Sequence, residues 1–256
     1  MPHKTKENKQ RDVDIISLFG RGPLNLLGLE SFFNLNTQLK DYERNSFNKV
    51  AIIKGEGGRS FSAGVDLLEI KDLAPREAES FIRVLHKSCN GLINFEKPTI
   101  AAIKGPCLGA GLELALSCDI RIGEEDSIFG LPEVRVGAPS VIEASLLVKT
   151  IGLGRARHLI LTGKTITAQQ SLEFGLLDYV VPNGHQLEKA YAISKMFNNI
   201  NRKVLSLQKD VIAKWLELDD SKSTEYSIKS FASNFATGFP REAMNAFLEK
   251  RPPSFK

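Results

Sequence analysis

Two glutamates stand in surroundings where a carboxyl group could transfer protons. Glu113 has apolar neighbours beside a glycine-containing segment, and Glu133 follows Pro132 in a short apolar loop. Burying a charge is costly unless the group is paired or functional, and two carboxyl groups in different protonation states can donate and accept protons in one reaction. Plainer interpretations also fit. Glu113 could only complement a helix dipole, and Glu133 could be a surface acid paired with Arg135.

Glycine-containing segments follow two of the predicted strands and lead into helices. The first covers residues 57–67, and the second covers residues 104–116. Glycine permits a tight turn and lets the backbone approach a ligand closely. The amides in the first turn of a helix lack helical partners, so they could bind an oxyanion or a carbonyl oxygen. The first segment has neither the Walker A ending nor the dinucleotide glycine pattern, and by itself it could be a plain strand-to-helix connection.

Other catalytic chemistries find little support in the sequence. The four histidines, His3, His86, His158 and His185, lie in helical or terminal contexts that do not indicate a Ser-His-Asp arrangement. Cys107 has no evident histidine partner, and its surroundings favour a small packed residue. Three scattered cysteines are too few for a disulfide framework or a zinc site, and no metal-ligand spacing occurs. We therefore expect no metal.

The pattern of apolar residues predicts an α/β core with a helical C-terminal part. Strands are predicted over 13–19, 50–54, 98–103, 119–122 and 178–181, and helices over 29–43 and 75–95. After Gly184, helices alone are predicted over 185–200, 202–217, 221–235 and 240–250. We divide the chain into a flexible basic arm (1–11), a core (12–200) and a helical C-terminal region (201–256).

Composition and charge exclude several classes of protein. Of the 256 residues, 42% are hydrophobic and 25% are charged, which is typical of a globular protein. The net charge of +4 is concentrated at the two ends of the chain. No basic stripe interleaved with aromatic residues indicates nucleic-acid binding, and no apolar run approaches the roughly 18 residues of a membrane span. Since the chain begins without an apolar signal and does not end in a peroxisomal address, we expect a cytoplasmic protein.

Five segments, taken in order, resemble the crotonase family, the enoyl-CoA hydratase/isomerase superfamily. They are residues 60–67, 105–113, 129–133, 152–156 with 161–163, and 168–181. Each is a weak signal alone, but all five in this order are specific. The match spans roughly residues 13–182, and the helical tail also fits.

The resemblance implies a spiral of ββα units followed by a helical C-terminal trimerisation region, assembled as trimers or pairs of trimers. It also implies an acyl-CoA thioester as substrate, with coenzyme A as part of that substrate and no further cofactor. By position, the amides of Val65 and Ala110 would hold the thioester oxygen, and Glu113 and Glu133 would be the catalytic carboxyl groups. The coenzyme A and substrate path would be lined by Ala63, Asp66, Leu67 and Gly109.

The activity that these positions imply is enoyl-CoA hydratase, the reversible syn addition of water to a trans-2-enoyl-CoA. We expect Glu133 to exchange the C2 proton and Glu113 to hold and activate the water. A Δ3,Δ2-enoyl-CoA isomerase or a specialised acyl-CoA dehydratase would use the same two amides. A non-catalytic acyl-CoA-binding homologue is a further alternative.

The sequence departs from the family pattern in two places. Ala110 stands where many hydratases have glycine, and residues 137–143 replace a more usual glycine-rich stretch. Glu143 is therefore an additional carboxylate near the expected acyl end. It could begin a helix or recognise a polar acyl group. We also predict that part of the basic C-terminal region binds the phosphates of coenzyme A.

Overall fold

The structure is a computed structural model that describes residues 13–255, so the predicted arm 1–11 lies outside the described residues. Its strands are β1 (Asp14–Leu18), β2 (Ala51–Gly55), β3 (Thr99–Ile103), β4 (Pro106–Leu108), β5 (Ile120–Glu124), β6 (Ile128–Gly130), β7 (Ile166–Thr167) and β8 (Tyr179–Val181). Five of them form a parallel sheet in the order β1-β2-β3-β5-β8. The other three form a small second sheet in the order β4-β6-β7, in which β6 and β7 are antiparallel.

Helices cover both faces of the main sheet and make up the C-terminal part of the chain. They are α1 (Leu29–Asn45), α2 (Leu67–Ile70), α3 (Pro75–Ile93), α4 (Ala110–Leu116), α5 (Ala144–Ile151), α6 (Leu153–Thr162), α7 (Ala168–Phe174), α8 (Gln186–Ser194), α9 (Arg202–Glu217), α10 (Asp220–Phe235) and α11 (Phe239–Leu248). None of the helices within residues 13–255 combines the length and the apolar character needed to cross a membrane.

The central strand β3 explains why the sheet is parallel and covered on both sides. All five of its residues are buried, as expected for a strand with helices on both faces. Ala101 and Ile103 pack into the larger apolar cluster, together with residues of α1 and α3. Ile100 and Ala102 pack on the opposite face, against Ala190 and Ile193 of α8. The mixed α/β architecture and the helical C-terminal part are as predicted.

The chain winds as a spiral in which a strand of the main sheet is followed by a strand of the second sheet. β3 leads directly into β4 and then α4, and β5 leads into β6. The first glycine segment joins the second sheet through a parallel bridge between Ser62 and Cys107. The spiral of ββα units expected from the resemblance is confirmed, and the division at residue 200 stays a prediction.

The strands of the second sheet were not predicted from the sequence. β4, β6 and β7 have only 3, 3 and 2 residues, which is too short for an alternating pattern to show. The helix predicted over 185–200 also differs, because α8 ends at Ser194 and continues as a 3-10 turn over Lys195–Phe197.

Several basic side chains of the C-terminal helices bind groups of the same chain. Lys209 of α9 lies 2.8 Å from the carboxylate of Asp119 and donates to backbone oxygens at the end of α3 and in the following loop. Arg202 lies 3.1 Å from the carboxylate of Glu96. These contacts attach α9 to the core, and the binding of coenzyme A phosphates by this region stays a prediction.

Candidate active site

One cavity of about 440 Å³ contains the residues that the resemblance assigned to catalysis and to substrate binding. All eight predicted site residues line it, namely Ala63, Val65, Asp66, Leu67, Gly109, Ala110, Glu113 and Glu133. Most of the remaining wall is apolar and comes from α2, α3 and the segment before α5, including Ile70, Phe81, Ile82, Leu85 and Val141. Two carboxyl groups therefore face a largely apolar space, where their electrostatic interactions are strong.

Backbone pairing brings the two glycine segments together. The amide of Ser62 donates to Pro106 O at 3.1 Å, and the amide of Leu108 donates to Ser62 O at 2.9 Å. This register places Val65 and Ala110 on the same cavity. Within residues 13–255, neither the Val65 amide nor the Ala110 amide donates a hydrogen bond, so both are free for a ligand.

The close approach of these segments requires glycine at two positions. Gly64 and Gly109 have φ values of +104° and +53°, which side-chain-bearing residues rarely adopt. A methyl group on Gly109 would lie 3.6 Å from the Cα of Gly64 and 3.0 Å from Oε1 of Glu133. Gly109 thus allows the first segment, the start of α4 and the Glu133 carboxyl group to meet.

Glu113 is a buried carboxyl group in the first turn of α4. It is 5% exposed, and its Oε1 accepts a hydrogen bond of 3.0 Å from the amide of Ala144. Burial, followed by the charges of Glu133 and Glu143, raises the pKa of Glu113 to about 8, although the Ala144 amide opposes the rise. The group is therefore protonated at neutral pH in the free protein. Its burial on the cavity wall argues against a role limited to the helix dipole.

Glu133 begins a 3-10 turn, Glu133–Val136, on another wall of the cavity. Its Oε2 accepts a hydrogen bond of 2.7 Å from the hydroxyl of Ser140. Arg135 instead donates to Gly163 O at 2.9 Å. The alternative in which Glu133 pairs with Arg135 is therefore wrong, and the Glu133 carboxyl group faces the cavity.

Asp66 lines the cavity from the position immediately before α2. Its carboxylate caps this helix by accepting from the amide of Leu68 at 3.1 Å, and it pairs with the Arg21 guanidinium, whose Nη2 lies 2.7 Å away. The hydrogen bond from Arg21 holds the pKa of Asp66 below its usual value. The Asp66 carboxylate is thus bound by groups of its own chain, while the Arg21 side chain lines the cavity and stays more than half exposed.

Glu143 is the residue immediately before α5, as the helix-start interpretation required. It is 6% exposed and lies outside the set of residues that line the cavity. Its Oε1 lies 2.7 Å from Nδ1 of His86, and its buried Oε2 has no hydrogen-bond partner among residues 13–255. The structure therefore does not support recognition of a polar acyl group by Glu143.

Four residues of the site were missed by the sequence reasoning. They are Arg21, His86, Ser140 and Ala144. Ser140 and Ala144 lie within or beside the stretch where the family pattern is lost, which is the only signal that could have drawn attention to them. His86 looks like an ordinary helical residue, and its contact with Glu143 spans 57 positions of sequence.

The three cysteines lie in the packed interior of the chain. Cys89, Cys107 and Cys118 are all free and buried, and burial raises the pKa of the Cys107 thiol well above its ordinary value. Cys107 is thus a packed residue, as expected from the sequence. Within residues 13–255, no group of three or more His, Cys, Asp or Glu side chains could hold a metal ion.

Comparison with known proteins connects this geometry to a family. The family model of enoyl-CoA hydratase/isomerase proteins matches residues 8–256. The short-chain-enoyl-CoA hydratase of Clostridium acetobutylicum is 31% identical over 244 residues, which cover 95% of this chain and 94% of that protein. A probable enoyl-CoA hydratase of Mycobacterium tuberculosis is 32% identical, with 97% of this chain and 96% of that protein covered.

Solved structures agree with the sequence relatives. The enoyl-CoA hydratase of Bacillus anthracis superposes with a TM-score of 0.89 at 30% identity, covering 97% of this chain and 96% of that one. DspI of Pseudomonas aeruginosa superposes with a TM-score of 0.91 at 28% identity, covering 97% and 95%. The chain therefore belongs to the enoyl-CoA hydratase/isomerase family, and it is an enzyme of the crotonase superfamily.

Proposed function

We propose that this chain is an enoyl-CoA hydratase that adds water reversibly across the C2=C3 bond of a trans-2-enoyl-CoA. One observation carries the proposal: Glu113 and Glu133 line the same cavity as the free amides of Val65 and Ala110. Two carboxyl groups and two convergent amide donors are what the hydration of a conjugated thioester requires.

The two amides would bind the thioester oxygen. When water adds at C3, negative charge moves through C2 to this oxygen and forms an enolate. Preorganised donors stabilise that charge more than they stabilise the neutral carbonyl, and losing one such donor typically costs about 2.7–4 kcal/mol. Since the amides of Val65 and Ala110 have no partner within residues 13–255, they give up no hydrogen bond to these residues when they bind the oxygen.

The two carboxyl groups would move two protons in opposite directions. Glu113 takes a proton from the attacking water, and Glu133 delivers a proton to C2, so the pair keeps one proton in total. The hydroxyl group added at C3 and the proton added at C2 would both come from this one cavity, which supports their addition to the same face of the double bond, a syn addition. The pKa of Glu113, raised to about 8, favours a proton on Glu113 at neutral pH, and this is the resting arrangement. Hydration starts from the arrangement with this proton on Glu133, and dehydration starts from the resting arrangement.

The cavity walls favour an apolar acyl group. Phe81, Ile82 and Leu85 of α3 and Val141 before α5 line the cavity beside Glu113. A charged acyl end would lose its hydration against these apolar side chains. We therefore propose that the substrates are 2-enoyl-CoA thioesters with an apolar acyl group.

A direct assay tests the proposal. The wild-type protein should hydrate crotonyl-CoA, and Glu113→Gln and Glu133→Gln should each lower kcat by about 100-fold or more, since each removes one proton-transfer group. Wild-type turnover by either variant would contradict the assignment. Formation of 2-enoyl-CoA from 3-enoyl-CoA without hydration would indicate an isomerase, and binding of acyl-CoA without turnover would indicate a non-catalytic homologue.

We further propose that the C-terminal helices carry a self-association surface, as expected from the resemblance. Large apolar side chains there are exposed in the single chain, including Trp215, Leu216, Ile228, Phe231, Phe247 and Leu248. Concentrated exposed apolar surface is typical of protein interfaces. A trimer that buries it is the assembly we expect.

A further inference from the structure

A contact between α3 and the start of α5 lies behind the Glu113 carboxyl group. Nδ1 of His86 on α3 is 2.7 Å from Oε1 of Glu143, whose side chain is 8% exposed, whereas the His86 side chain is 53% exposed. α3 also supplies Ile82 and Leu85 to the cavity wall. The His86–Glu143 contact therefore connects a wall helix to the turn that precedes α5.

This turn has an unusual backbone conformation. Ile142 has φ of +45°, in the left-handed region, which a β-branched residue rarely adopts. Such a conformation persists only where the surrounding structure holds it. Two residues later, the Ala144 amide donates to Glu113 at 3.0 Å. The direction of that amide thus depends on how the turn is held, and Glu143, between the two residues, is anchored by His86.

We propose that His86 and Glu143 are positioning residues for Glu113. Their contact holds the turn that directs the Ala144 amide at the Glu113 carboxyl group, and the Glu143 carboxylate places a second negative charge behind that group. The kinetic part of this inference rests on the proposed hydratase function, whereas the interaction among the three residues does not.

The charged and titratable groups around Glu143 agree with this arrangement. His86 and Cys89 face it from α3, and its charge acts on Glu113 of α4, while Glu133 acts on Glu113 from the 3-10 turn. After burial, the charges of Glu143 and Glu113 both raise the pKa of the Cys89 thiol, which places all three groups close together. Within residues 13–255, Oε2 of Glu143 is buried without a hydrogen-bond partner.

Three variants separate the two parts of the inference. Glu143→Gln removes the charge but keeps an acceptor for His86. His86→Ala removes the contact, and His86→Asn restores a donor near the position of Nδ1. A second pair of the same type, His185 Nδ1 and Glu188 Oε2 at 2.8 Å, is exposed and lies outside the cavity. Its variants His185→Ala and Glu188→Gln are the matched controls.

Two measured quantities are expected to change, namely kcat and the pH dependence of kcat/KM. His86→Ala should lower kcat for crotonyl-CoA hydration about tenfold with little change in KM, and His86→Asn should recover most of it. In Glu143→Gln, the basic limb of the kcat/KM profile should move to lower pH by about half a unit or more, because a negative charge near Glu113 is lost. The control variants should leave both quantities at their wild-type values.

An infrared titration gives a readout that does not need activity. The carboxyl stretching band that is absent in Glu113→Gln belongs to Glu113, and in Glu143→Gln its midpoint should also move to lower pH. If this shift occurs in a protein without hydratase activity, the proposed function fails and the inference holds.

The inference is overturned if Glu143→Gln leaves the midpoint of the Glu113 band at its wild-type pH. It is also overturned if His86→Ala keeps wild-type kcat, or if His86→Ala and His86→Asn lose activity equally and in step with Tm. If Glu143→Gln does not fold, the inference is tested by comparing His86→Ala with His86→Asn, because this half-exposed position tolerates substitution.

Discussion

The amide of Ala144 donates a hydrogen bond of 3.0 Å to Oε1 of Glu113, across 31 positions of sequence. This bond is the one described contact that stabilises the ionised form of Glu113, while burial and the charges of Glu133 and Glu143 act against it. The balance leaves Glu113 protonated at neutral pH but able to ionise within the physiological range. A carboxyl group of this kind can serve as acid in one direction of a reaction and as base in the other.

We expect kcat/KM to decrease above about pH 8, the value to which the pKa of Glu113 is raised. The reaction needs one proton on the Glu113–Glu133 pair, and that proton leaves as the pH rises past this value. Hydration and dehydration should decline together, because water addition takes up no net proton. Initial rates of crotonyl-CoA hydration and 3-hydroxybutyryl-CoA dehydration from pH 6 to 10 would check this. A basic limb far from 8 would contradict the assignment.

Glu113→Gln should stabilise the protein at alkaline pH. In the folded state the pKa of Glu113 is about 8 against an ordinary 4.5, so the folded state binds its proton more tightly than the unfolded state does. The free energy of unfolding therefore falls as pH rises from about 4.5 to 8, by on the order of a few kcal/mol for this group. Thermal unfolding at pH 5 and pH 8.5 would measure the difference. The surface variant Glu79→Gln should show no such pH-dependent gain, and an equal gain at both pH values would be inconsistent with this origin.

Ser140→Ala should lower kcat about tenfold with a small effect on KM. The Ser140 hydroxyl donates to Glu133 Oε2 at 2.7 Å, and a hydrogen bond to a charged group contributes more than a neutral one. Without this hydrogen bond the Glu133 carboxyl group can rotate away from C2 of the substrate. Steady-state kinetics with crotonyl-CoA provide the measurement. Ser145→Ala, at an exposed position on α5, is the control, and equal kinetics in the two variants would rule out this role.

Gly109→Ala should lower kcat more than its effect on stability alone would explain. A methyl group there would lie 3.0 Å from Glu133 Oε1, and the φ of +53° is unfavourable for alanine. Gly184→Ala is a suitable control, since Gly184 has φ of +86° but no atom within 4 Å of the added methyl group. Both variants should lose roughly 1–3 kcal/mol of stability from the backbone conformation. Only Gly109→Ala should lose kcat, and an equal loss in both would contradict the predicted contact.

Phe231→Glu should weaken assembly. Phe231 of α10 is 68% exposed within the surface that we propose for self-association, whereas Phe47 is 97% exposed outside the C-terminal helices. A charge at a buried interface position costs several kcal/mol, so the variant should dissociate at concentrations where wild type is a trimer. Light scattering would distinguish a trimer from a 28.3 kDa monomer. Phe47→Glu should keep the mass of the wild-type assembly. A monomeric wild-type protein would contradict the proposed self-association.

Much of this protein was determined by its sequence alone. Buried parallel strands such as β3 need continuous apolar runs, so they were visible as patterns, as was the change to helices after Gly184. The motif positions also identified Glu113, Glu133 and the two glycine segments, because tight turns and a buried acid restrict which residue types can stand there. All eight residues proposed from the sequence lie on one cavity.

The hydrogen-bond partners of the site carboxyl groups, and the protonation of Glu113, follow from the tertiary structure and are not visible in the sequence. The Ala144 amide, the Ser140 hydroxyl and the His86–Glu143 contact reach their targets across loops or between helices, and residue types alone do not indicate such pairings. The raised pKa of Glu113 likewise follows from its burial and from the approach of two other carboxyl groups. Hydrogen-bond direction and local electrostatics depend on distances of a few ångströms, and folding sets those distances by packing elements that lie far apart in the chain.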